Sequence, residues 1–263
     1  TPAGFKAAYQ KITQGGWLGL SGNPEFEGQG MPKMLGCLLE EMFWAANTSL
    51  YLYGTLSVGT SICIEAHGSA AQKALYLPKL YGGQWSGAMG LTESHAGSDL
   101  GLIRTRAERD ADGSYRITGT KMFITSGEHD LSENIVHLVL ARLPDAPQGT
   151  PGISMFVVPK FNLDGSRNAV DCGSIEEKMG IHGSPTCVME YDAATGWLLL
   201  RRCSRCPCRA LICSSRLRCL FASSSFQRQG ERGISYSHTE SGLLLHDSGD
   251  QIITSLYQRT TSF

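Results

Sequence analysis

The sequence predicts an α+β protein: an N-terminal helical domain, a β-barrel-like domain after it, and a tail of irregular character. Three observations predict this. Apolar residues recur at helical spacing before residue 85, short β-rich segments separated by turn signals fill residues 86 to about 192, and the composition changes near Trp197. Helices followed by strands, rather than alternating with them, point to α+β or to separate domains. The expected division is 1–85 helical, 86–197 β, and 198–263 tail.

In the first domain Leu35, Leu38, Leu39, Met42, Phe43 and Ala46 form one helical face, with Glu40 and Glu41 off it and facing water. Pro32 suits the first turn. Asn47-Thr48-Ser49 reads as a break, and Leu50 to Ala66 as a buried helix rich in small residues. His67-Gly68-Ser69 supplies a helix stop and the N-cap of a third helix, expected to end near Pro78. Gly82-Gly83 marks the boundary.

In the second domain Asp110-Ala111-Asp112-Gly113 is a hairpin turn and Gly119-Thr120 reads as another. Ile135 to Ala141 is a central strand, interrupted only by His137, a hydrogen-bonded interior or edge histidine in this reading. Pro144 to Pro151 is a loop, Ile153 to Val158 a buried strand, and Val188 to Tyr191 the last strand expected. Short strands at this spacing suggest a barrel or sandwich.

Composition excludes several classes. The 263 residues are 41% apolar and 18% charged, which suits a globular chain rather than a disordered one. The net charge of −1 gives no global pull toward nucleic acid or membrane. No apolar run approaches the roughly 18 residues of a membrane span, and no signal peptide opens the chain, so a cytoplasmic protein is expected. Cys37, Cys63, Cys172 and Cys187 are scattered among apolar neighbours and read as reduced buried thiols.

The tail differs. Ala193 to Gly230 contains seven Arg and no Asp or Glu, no Lys follows Lys178, and five of the nine cysteines lie between Cys203 and Cys219. Translation in a shifted reading frame accounts for this composition. The rival is a zinc or nucleic-acid knuckle built on Cys203 and Cys206, but no second Cys-x2-Cys follows. No metal site is therefore expected.

Two segments could carry chemistry. Met89-Gly90-Leu91-Thr92-Glu93-Ser94-His95-Ala96-Gly97-Ser98-Asp99 reads as a strand, a turn of small residues and an acid. The Thr92 hydroxyl donates and accepts, and Ala96-Gly97-Ser98 leaves backbone N–H groups open to a phosphate or a flat ring. In Gly119-Thr120-Lys121-Met122-Phe123-Ile124-Thr125-Ser126-Gly127, Phe123 and Thr125 fall on one face of a strand, as an isoalloxazine would need. Taken singly, the first segment reads better as a strand ending in a turn with Glu93 and Asp99 solvated, and the second as an ordinary hairpin with a core Phe.

Together, and with the later Lys178-Met179-Gly180-Ile181-His182-Gly183-Ser184-Pro185-Thr186, they resemble the acyl-CoA dehydrogenase family over roughly residues 1–197. The wording is closest to the enlarged members, including those acting on 3-methylmercaptopropionyl-CoA. The resemblance implies FAD as cofactor. It places Met89, Leu91 and Thr92 along the flavin, Gly97 and Ser98 near its pyrophosphate and the acyl-CoA, Phe123 beside the ring, Thr125 at flavin N5, and Ile124 in backbone contact between them. His95, Ala96 and Leu102 depart from the usual pattern and bear on substrate shape. The implied reaction is α,β-dehydrogenation in fatty-acid metabolism: a carboxylate takes the α-proton, the β-hydrogen leaves as hydride, and electron-transferring flavoprotein reoxidises the flavin. The family base is a Glu of a C-terminal helical domain, for which no matching segment is found, so no catalytic residue is assigned; Glu231 and Glu240 lack a helical context. The chain is expected to be an incomplete form of a homo-oligomeric enzyme. The alternatives are a non-catalytic flavin- or CoA-binding fragment and a related flavoprotein of the alkylation-response type.

Overall fold

The computed structural model describes residues 1–201 and, separately, the strands Tyr236–Thr239 and Gly242–Leu245, which pair as an antiparallel ribbon. The expectation of a shifted reading frame falls on residues that otherwise lie outside the described ones, as do Cys203, Cys206, Cys208, Cys213, Cys219, Glu231 and Glu240.

Three helices open the chain: α1 (Phe5–Gln14), α2 (Lys33–His67) and α3 (Ala70–Tyr81). Pro32 stands at the N-cap of α2 rather than inside its first turn. Asn47 interrupts α2 with extended backbone, and its side chain accepts the Leu50 N–H at 3.0 Å, restarting the helix. The break at Asn47 is thus as expected, but the two halves of α2 differ in burial. Tyr51 to Ile64 contributes ten buried residues, whereas Leu35, Leu38 and Met42 are exposed. Helical spacing identified their shared face correctly; among the described residues nothing covers it. Glu40 is half-buried, not solvated, and burial raises its pKa despite the Tyr51 hydroxyl. Helix α3 begins with a reciprocal capping box, Ser69 Oγ accepting from Gln72 N–H and the Gln72 amide oxygen from Ser69 N–H. It runs past Pro78 to Tyr81, one turn further than expected, although Pro78 gives up the bond to the carbonyl four residues earlier.

The β-domain has seven strands: β1 (Trp85–Gly90), β2 (Arg106–Arg109), β3 (Tyr115–Thr125), β4 (Asn134–Arg142), β5 (Ile153–Pro159), β6 (Val170–Ile175) and β7 (Thr186–Arg201). Pairings β4–β2, β2–β3, β3–β7, β7–β5 and β5–β4 close a ring, with β1 added parallel to β4 and β6 antiparallel to β7. Closure removes sheet edges. The last strand is longer than Val188–Tyr191 and crosses the compositional change at Trp197, pairing Leu198 and Leu200 with β5. Its first half pairs with both β3 and β6.

Ile117, Ile124, Ile135, Val139, Phe156, Val158, Cys187 and Met189 fill the core. Cys63 is buried as well, whereas Cys37 is exposed and Cys172 half-buried, contrary to the burial expected of all four thiols. Gly119-Thr120 is not a turn. It lies within β3 opposite a bulge in β7, where Ala193 takes φ 54°. Gly119 is needed for closeness instead: a Cβ there would stand 2.9 Å from the Thr105 backbone. The helices meet the barrel similarly at Gly87, where a Cβ would fall 2.9 Å from the Leu56 carbonyl of α2, and Gly87 N–H donates to Ser57 Oγ at 3.1 Å. No helix among the described residues is long and apolar enough to cross a membrane.

Candidate functional site

The two segments singled out from the sequence are adjacent in space. Met122 N–H donates to the Thr92 carbonyl at 2.8 Å, and Lys121 Nζ to the Leu91 carbonyl at 3.0 Å. A Cβ on Gly97 would lie 3.4 Å from the Thr92 methyl. The chain after β1 therefore turns back over itself and is pinned to the middle of β3.

Each expected site residue has a definite place. Met89 is buried at the end of β1, opposite Leu138. Leu91 and Thr92 are half-buried, and Gly97 and Ser98 are exposed at the tip of the turn. Ile124 is buried in the barrel core, so only its backbone faces the site. Thr125 is half-buried and pairs with Thr186. Phe123 is 57% exposed with φ 59°. A bulge causes this, since β3 advances three residues from Lys121 to Ile124 while β7 advances two. It leaves Met122, Phe123 and Thr125 off the core while Lys121 and Ile124 are buried. A bulky residue held at positive φ is costly, and such strain gathers at functional sites. Ser126 follows with φ 55° and a buried hydroxyl that has no partner.

What sequence reading missed lies beneath this surface. Glu93 is buried, not solvated. Its carboxylate accepts from Arg104 N–H at 2.7 Å, Thr105 N–H at 3.0 Å, Thr105 Oγ1 at 2.6 Å and Lys121 Nζ at 2.9 Å. Burial pushes the Glu93 pKa up, but Lys121 and these hydrogen bonds outweigh it and hold the pKa at about 2. Burial lowers Lys121 to about 8 against the opposing pull of Glu93, so the pair is ionised at neutral pH. An alternation Ile117, Gly119, Lys121 that aims a lysine at the core was the available signal, since a buried charge demands a partner.

His95 Nε2 stands 3.1 Å from the Leu102 carbonyl and 3.5 Å from Glu93 Oε2, bracing the turn from its outer side. Asp99 accepts from Gly101 N–H and opens a short 3-10 turn, Leu100–Leu102. Arg142, at the end of β4, reaches the same turn. His137 is an interior residue, its Nδ1 2.9 Å from the Tyr191 hydroxyl, and burial lowers its pKa to about 3. His182 is exposed, while the carbonyl of the next residue, Gly183, accepts from Tyr53 OH at 2.9 Å and ties that loop to α2.

Family models described as the acyl-CoA dehydrogenase N-terminal domain and middle domain match residues 2–84 and 88–194. The chain is 51% identical over 203 residues to 3-methylmercaptopropionyl-CoA dehydrogenase of Ruegeria pomeroyi, covering 75% of this chain and 34% of that protein. It is 42% identical over 208 residues to a butyryl-CoA dehydrogenase of Syntrophomonas wolfei, covering 76% and 34%. The chain thus spans about a third of the length of these relatives. Among solved structures, an acyl-CoA dehydrogenase complexed with FAD from Bacillus anthracis superposes with a TM-score of 0.63 at 28% identity, covering 73% of this chain and 30% of that one.

Proposed function

Since the chain belongs to the acyl-CoA dehydrogenase family, whose N-terminal and middle domains it carries, we propose that its bulged β3 and the turn after β1 form an FAD platform for α,β-dehydrogenation of an acyl-CoA thioester. The observation that carries this is Phe123. A large aromatic ring held outward at positive φ, beside half-buried Thr92 and Thr125, offers stacking area with hydroxyls at its border. The exposed tip at Gly97 and Ser98 suits the pyrophosphate, because small residues let an anion approach the backbone N–H groups closely. Met89 and Leu91 would lie along the ring and Ile124 would contribute backbone only. When bound, the flavin supplies the hydride acceptor.

Glu93 is not the base that takes the α-proton. A carboxylate with a pKa of about 2, engaged by four donors, is too weak and too confined for that step. Its role is to hold the platform. The base, electron-transferring flavoprotein as oxidant, a homo-oligomeric assembly and a cytoplasmic site of action belong to this proposal on family grounds. The relative from Ruegeria pomeroyi makes a short 3-methylmercaptopropionyl-type thioester the first substrate to try.

The test is titration of the purified chain with FAD, followed by flavin fluorescence, alongside Phe123→Ala and Gly97→Asp. Saturable binding that weakens in both variants is expected. Absence of binding by the unsubstituted chain would refute the platform. Binding without bleaching of the visible flavin band when acyl-CoA is added anaerobically would favour the binding-fragment reading over turnover by this chain.

A further inference from the structure

Arg142 directs its guanidinium at four backbone carbonyls. Nε donates to the Ile103 carbonyl at 3.0 Å, and one terminal nitrogen to Pro147 at 2.9 Å. The other donates to Gly101 at 2.5 Å and to Gly149 at 2.7 Å. Its own backbone N–H donates to the Thr105 carbonyl at 2.9 Å. Two of the four side-chain acceptors belong to the run 101–103 that follows the exposed tip, and two to the loop between β4 and β5. The planar fork therefore joins two loops that have no strand pairing with each other. A lysine has no such fork and could not reach four carbonyls in these directions.

The entry side of the turn is fixed independently. Glu93 and Ala96 exchange backbone hydrogen bonds, and the Glu93 carboxylate is anchored to Lys121 and Thr105. On the exit side Arg142 holds the Gly101 and Ile103 carbonyls, while His95 Nε2 lies 3.1 Å from the Leu102 carbonyl and Asp99 accepts from Gly101 N–H at 2.8 Å. We propose that Arg142 is the positioning residue of this turn, holding its exit side so that the Gly97–Ser98 amides are set for the pyrophosphate of a flavin dinucleotide. The inference rests on the flavin reading above and assigns to Arg142 the dinucleotide half of the ligand, not the ring.

The discriminating comparison is FAD against riboflavin, which has the ring but no phosphate, using the wild-type chain and Arg142→Lys. The substitution keeps the charge and removes the fork. The expected result is a loss of at least about tenfold in FAD affinity with riboflavin affinity unchanged within about twofold. Equal losses for both ligands would mean a general structural role and overturn the proposal. If the unsubstituted chain binds neither flavin, the reading of the site fails and the proposal with it. If it binds both and Arg142→Lys leaves their ratio unchanged, only the proposal fails. A measurement on the wild type alone covers the case of a variant that does not fold: amide hydrogen exchange at residues 101–103 should slow with FAD and not with riboflavin. Identical protection by the two ligands would overturn the assignment.

Discussion

Replacing Glu93 by Gln isolates the buried ion pair. The substitution preserves size and one acceptor oxygen, but it leaves the Lys121 ammonium, fully buried, with only the Leu91 carbonyl as a strong partner. Breaking a buried pair from one side costs about 3–5 kcal/mol, because the remaining charge is desolvated without compensation. That is a large part of the 5–15 kcal/mol typical of a domain. Urea unfolding followed by tryptophan fluorescence is the assay, since Trp85, buried at the start of β1, reports on the barrel's attachment to the helices. With a slope of about 2 kcal/mol per molar urea, the midpoint should fall by roughly 2 M. Glu93→Gln combined with Lys121→Met removes both charges and should recover most of the loss, the non-additivity measuring their coupling. A single substitution costing under about 1 kcal/mol, or a double variant worse than the sum of the singles, would refute the claim that the pair's attraction governs this site.

Three further outcomes are expected. Burial holds His129 at about 4 and His137 at about 3, so the unfolded chain takes up these protons first as pH falls; stability should be full above pH ~6.5 and decline toward pH 4 with a slope approaching ~2.7 kcal/mol per pH unit. A urea midpoint that stays flat over that range would contradict it. Gly119→Ala should cost roughly 2 kcal/mol by driving Thr105 away from β3, read by the same unfolding assay, and no change would mean the loop yields freely. Changing Met34, Leu38 and Met42 together to Gln should reduce self-association in sedimentation velocity without lowering the thermal midpoint, because these exposed apolar side chains form one stripe of α2; unchanged association would locate the sticky surface elsewhere.

Local chemistry was legible in the sequence and long-range chemistry was not. The Ser69 cap, the break at Asn47 and the turn at Asp110–Gly113 depend on neighbours within four residues, and the structure has all three. The adjacency of Thr92 and Met122 followed from a family resemblance rather than from periodicity. Glu93 and Lys121 are 28 positions apart, and nothing in either local pattern names the other. The strand β6 was missed because its burial pattern is mostly exposed, with no apolar alternation to mark it. Gly119 looked like a turn because a glycine beside a threonine carries the same local signal whether it serves a turn or a close approach. The stripe on α2 shows the reverse limit: periodicity reveals that a face is apolar, not what lies against it.

The closing role of β7 has a consequence during synthesis. This strand alone joins β3, β5 and β6, so the ring stays open until its residues leave the ribosome. At 5–20 residues per second the roughly 75 residues separating the end of β3 from the end of β7 take about 4–15 s. Throughout that interval β3 offers a bare hydrogen-bonding edge that includes the bulge at Phe123. The nascent chain is therefore most vulnerable to strand-swapped misassembly just before β7 emerges, and a chaperone that shields β3 would do most good in that window.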